Sequence, residues 1–173
     1  DTAAQSILLT PVAHFADRVA VALADLVQMS PRREICRQSL RDRGMIVVVR
    51  DWDEACRLAS QAAPEHLELA VEDPETLLPR IQHAGAIFLG RHTPEAIGDY
   101  VAGPNHVLPT GGTARFSSPL GVYDFLKRTS LIGCPASTLQ KIGPAAAHLA
   151  RREGLDAHRL SVALRLDDRS TLG

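Results

Sequence analysis

The amino-acid sequence predicts an α/β fold: a domain with a largely parallel sheet over residues 1–121 and a small, mostly helical domain over 122–173. Three observations carry this. Short apolar runs alternate with segments of helical periodicity as far as residue 90, the pattern of strands joined by helical crossovers. Residues 91–121 are then rich in Gly, Pro, Thr and Ser, and a loop of that length in a compact protein is either functional or disordered. Beyond it the remaining segments read as helices.

The elements follow in order. "SILLT" (6–10) is a short apolar run and reads as a buried strand. Residues 11–29 form a helix with Pro11 near its start and Phe15, Val19, Ala22, Leu23 and Leu26 at helical spacing. Residues 31–44 are a second helix closed by Gly44, with Arg33, Arg37 and Arg41 as a solvated basic stripe. "MIVVVR" (45–50) has four β-branched apolar residues in a row and suits burial on both sheet faces. Residues 51–63 make a helix capped by Asp51 and ended by Pro64. "HLELAV" (66–71) alternates like a strand, 73–85 form a short helix broken at Pro79, and "AIFLG" (86–90) is another buried strand. After the loop, 122–130, 136–154 and 155–168 read as helical.

Composition excludes several classes. The chain of 173 residues carries a formal net charge of -1 and 4% aromatics, so neither a basic field nor a stacking platform for nucleic acid is present. No apolar run spans a bilayer. Cys36, Cys56 and Cys134 are odd in number and widely spaced, which fits reduced, mostly buried thiols of a cytoplasmic protein rather than a disulfide framework or metal site.

The polar residues concentrate at two turns and one helix junction. Glu65 and His66 lie in "APEHLEL", where a helix passes into a strand. Such a pair is either a base with its proton relay or a polar surface turn after proline. "GDYVAGPNHVLPTGG" (98–112) holds four glycines and two prolines, and presents Asp99, Asn105 and His106. A carboxylate and an imidazole there suit zinc; an Asx-type turn with a solvent-exposed His is the alternative. Glu153 and His158 flank "GLDA" between the last two helices, where a His also serves to complement a helix end.

Taken together, "APEHLEL", "TPEAIGDYVAGPNHVLPTGGTARFSSPLGVYDFLKR" and "REGLDAHRLSV" resemble, in order and spacing, the carboxyl-terminal part of the histidinol dehydrogenases. The resemblance covers essentially the whole chain. It implies a partial Rossmann-like domain followed by a helical tail exchanged in a homodimer. It further implies oxidation of L-histidinol to L-histidine with zinc and two NAD molecules in turn. By the same match Glu65 is the general base that activates water, and His66 accepts the alcohol proton. Asp99 and His158 match zinc ligands that also meet the substrate, Glu153 a substrate contact, and His106 a group lining the pocket. Asn105 and Glu95 match the motif without a definite role. The resemblance also places two further zinc ligands, in a Gln-Ala-Glu-His motif, and the nucleotide-binding domain upstream of Asp1. On that footing the 173 residues alone are expected to be inactive, to bind zinc poorly and to self-associate through open strand edges. A stand-alone derivative without catalysis, serving as a small-ligand-binding or assembly module, is the competing expectation.

Overall fold

The computed structural model describes residues 1–166; the end of the predicted tail, residues 167–173, lies outside the described residues. The chain divides into two compact units, with the boundary between Phe125 and Leu126. The element order of the first unit is β1 (Ile7–Thr10), α1 (Ala13–Met29), α2 (Arg33–Arg43), β2 (Met45–Val48), α3 (Trp52–Ala62), β3 (His66–Leu69), β4 (Ala86–Leu89) and α4 (Glu95–Tyr100). The second contains α5 (Ala136–Arg152) and α6 (Asp156–Leu166).

Both strand pairings are parallel, as alternating strands and helices require. They form two separate two-stranded sheets, β1 with β2 and β3 with β4. In the second sheet His66 is opposite Ala86 and Glu68 is opposite Phe88. The two faces of this sheet differ. Leu67, Leu69 and Leu89 join Cys56 of α3 and Leu77 in an apolar core. His66 and Glu68 alternate with those leucines and so face the other way.

Helix α3 is anchored at its start by Asp51, whose side chain accepts the Glu54 N–H at 2.8 Å. It ends at Ala63, which is buried and holds a left-handed backbone, φ 48°. That conformation costs a residue with a Cβ about 1 kcal/mol, and it turns the chain sharply into Pro64, Glu65 and β3. Two backbone hydrogen bonds lock the corner: Gly85 N–H to the Pro64 carbonyl at 2.9 Å and Ala86 N–H to the Glu65 carbonyl at 2.8 Å.

Several elements depart from the sequence reading. Residues 73–85 form two 3-10 turns, Pro74–Thr76 and Leu78–Arg80, rather than a helix broken at Pro79; each turn has a proline in its first two positions, which cannot donate to a longer ladder. Residues 91–121 are not all loop: α4 lies within them, and Thr113–Arg115 is a 3-10 turn. The predicted helix over 122–130 is a 3-10 turn at Val122–Phe125 only. On α1 the buried residues are Ala16 and Val27, with Val19 and Leu23 half-buried between them, while Phe15 and Leu26 are exposed. A helix apolar on several sides has no single stripe for periodicity to select, and packing on β1, β2 and α2 chooses the face. Met45, Ile46 and Val48 of β2 are exposed, not covered on both faces, as a two-stranded sheet allows. Cys56 is buried, but Cys134 is exposed and Cys36 only partly covered.

The second unit is a helical hairpin. Glu153 follows α5, Gly154 turns at φ 74°, and Leu155 N–H returns to the Ala150 carbonyl at 2.9 Å. Gln140 Nε2 donates to the Leu166 carbonyl at 3.1 Å across the pair. Among the described residues no helix is long and apolar enough to cross a membrane.

Candidate functional site

The polar face of the β3–β4 sheet carries the site. His66 opens β3, and its ring stands 5.8 Å from that of Phe88, centroid to centroid. Helix α4 lies over the same face. Its Glu95 and Asp99 are four residues apart and therefore project from one side of the helix. Gly98, between them, is what lets the helix sit so low: a Cβ there would lie 2.4 Å from the Phe88 ring.

The result is a compact triad. His66 Nε2 is 3.6 Å from Asp99 Oδ1 and 3.8 Å from Glu95 Oε1. Both separations are too long for a hydrogen bond, and His66 Nε2 is buried without a hydrogen-bond partner. An imidazole nitrogen withdrawn from water and aimed at two carboxylates, yet bonded to neither, calls for a proton or a cation between them. The three donor atoms lie within 4.8 Å of one another. Tetrahedral bonds of about 2.1 Å would hold such donors about 3.4 Å apart, close to the spacing seen here. A mixed nitrogen and oxygen set also suits zinc.

Electrostatics point the same way. The hydrogen bond with Asp99 raises Glu95 above the ordinary carboxylate value; burial and the charges of Asp99 and Glu68 push it further up, and His66 opposes them. Two carboxylates this close favour sharing one proton or one cation over standing together as anions.

The other sequence candidates are placed as follows. Glu65 is half-buried at the corner before β3, next to the triad in sequence but outside it. Asn105 and His106 are exposed; Asn105 Oδ1 accepts the Val107 N–H at 2.7 Å, the Asx-type turn. Glycine supplies the bends of this stretch, with φ of 98° at Gly103, 59° at Gly111 and 80° at Gly112. The stretch is anchored by buried Pro109 and by Arg115, which donates to the Gln61 carbonyl at the end of α3. Glu153 and His158 are exposed in the second unit, at the end of α5 and in the first turn of α6. Two contributors escaped the sequence reading. Glu68 accepts the Glu95 N–H at 2.7 Å, and Phe88 forms the floor. Their only signal was strand alternation, which puts Glu68 on the face of His66.

Comparison with known proteins agrees with the motifs. The family model described as histidinol dehydrogenase matches residues 1–166. Histidinol dehydrogenase of Rhodospirillum rubrum is 61% identical over 168 residues, 96% of this chain and 39% of its own length. That of Nitrosomonas europaea is 59% identical over 165 residues, 95% of this chain and 38% of its own. The crystal structure of histidinol dehydrogenase from Elizabethkingia anophelis superposes with a TM-score of 0.82 at 34% identity, covering 94% of this chain and 37% of that one. The chain thus spans about two fifths of the length of the curated relatives it matches.

Proposed function

The chain belongs to the histidinol dehydrogenase family, and from that premise we propose that it carries the acid–base corner of a zinc- and NAD-dependent dehydrogenase. That enzyme oxidises L-histidinol to L-histidine in two steps, the end of histidine biosynthesis. The observation that supports this most is the unpartnered, buried His66 Nε2 facing Asp99 and Glu95.

The roles follow from the chemistry. Hydride leaves an alcohol carbon only as the hydroxyl loses its proton. His66 Nε2, with no bond to another protein group, is free to receive that proton. The second oxidation adds water to an aldehyde-level carbonyl, and Glu65, half-buried one residue away, is the carboxylate that activates it. Asp99 of one subunit and His158 of the partner subunit would hold the zinc and meet the substrate beside it. When bound, zinc would supply a template that orients the substrate's polar atoms, and NAD would supply the hydride acceptor. Glu153 and His106 contact the substrate. The assembly we propose is a cytoplasmic homodimer. Residues 1–121 form part of each catalytic domain, and residues 122–173 complete the partner's active site.

The separation of roles is testable in the complete enzyme. Glu65→Gln is expected to slow the second oxidation by about 100-fold or more and the first far less, so that aldehyde-level product accumulates under single-turnover conditions. Equal slowing of both steps would remove Glu65 from the water-activating role.

A further inference from the structure

We propose that Glu68 is a positioning residue of this site: its carboxylate caps the helix that carries Asp99 and thereby fixes that ligand opposite His66. The inference rests on the zinc-site reading above. It concerns a residue outside the cluster of His66, Glu95 and Asp99.

Helix α4 has six residues, far too few to be stable by itself. Its N-cap residue is Pro94, with no side chain to satisfy the first N–H groups, and no cap bond comes from within the segment. The first of those N–H groups, on Glu95, donates instead to Glu68 Oε1 at 2.7 Å. The acceptor comes from a different element, 27 residues earlier. A carboxylate at this end also complements the helix dipole.

Geometry makes the bond consequential. Glu68 sits two residues after His66 on β3, on the same face and opposite Phe88. The strand that aims His66 therefore also holds the start of the helix that aims Asp99. With Gly98 seated on the Phe88 ring, α4 has one anchor at its first residue and one next to Asp99. Removing the first lets the helix pivot about the second, and the 3.6 Å separation of His66 Nε2 and Asp99 Oδ1 is no longer held.

The test is the zinc affinity of the complete enzyme, measured by competition with a chromophoric chelator. Glu68→Ala is expected to weaken zinc by about 10- to 100-fold. Glu68→Gln keeps an oxygen acceptor at the same reach and is expected to remain within about threefold of wild type. Wild-type affinity in Glu68→Ala overturns the proposal, as does Gln as weak as Ala, which would make charge rather than capping the cause. Glu68 is exposed, so folding of both variants is expected and is checked by circular dichroism. Should Glu68→Ala fail to fold, Gly98→Ala decides: it leaves the cap intact, lifts α4 from Phe88 and must weaken zinc comparably, unchanged affinity counting against the proposal. Asp99→Asn separates the two readings. If it leaves zinc binding intact, the ligand assignment itself fails. If it abolishes binding while Glu68→Ala does not, only the positioning role fails.

Discussion

The two units hold their polar candidates in opposite ways. In the first, His66, Glu95 and Asp99 come from a strand and a helix some thirty residues apart, brought together over the buried ring of Phe88. In the second, Glu153 and His158 are separated by one tight turn and stand exposed on a helical hairpin. The first arrangement exists only through tertiary packing. The second is set by local chain geometry alone. A site built the first way fails when its floor is disturbed; a hairpin tolerates the loss of a surface side chain.

The largest expected effect breaks that comparison most directly. Phe88→Ala removes a buried aromatic ring and should destabilise the first unit by about 3–5 kcal/mol. Leu164→Ala, on the 64% exposed Leu164 of α6, should cost less than about 1 kcal/mol. Urea unfolding followed by circular dichroism measures both, and similar losses would erase the distinction.

A second prediction concerns the carboxylates. Glu95 binds its proton more tightly in the folded, metal-free chain than in the unfolded one. The folded state therefore holds more protons above the ordinary carboxylate value, and its stability falls as pH rises through the raised one. Glu95→Gln should flatten that dependence and raise the urea midpoint at neutral pH. A retained slope in Glu95→Gln would place the repulsion elsewhere.

The smallest effect sharpens the contrast between buried and exposed groups. Burial pushes the Cys56 thiol up, whereas Cys134 is exposed. A thiol reagent should label Cys134 first and reach Cys56 only when the first unit opens. Mass spectrometry of partly labelled protein reads the order, and early labelling of Cys56 would contradict the packing described.

Much of this was legible in the sequence, for identifiable reasons. The four strands and the helices α1, α2, α3, α5 and α6 carry strong periodic or β-branched signals of their own. Asp51 announced its cap, and the family motifs named His66 and Asp99. What the sequence concealed depends on contacts distant along the chain. Helix α4 has a proline before it, a glycine within it and only six residues, so local propensity argues against it; Glu68 and Phe88 make it possible. Periodicity alone does not select the buried face of α1, because apolar side chains surround that helix. The motif named Glu95 without a role, because four-residue spacing from Asp99 matters only once a helix exists to present both.

The central claim is that the face of β3 and β4 under α4 is the metal-dependent reaction site. The most direct measurement is anomalous diffraction at the zinc edge from crystals of the complete enzyme. The account predicts a peak about 2.0–2.2 Å from an Asp99 carboxylate oxygen, on the side of His66. A zinc peak remote from Asp99, with His66 Nε2 facing only protein, would contradict it.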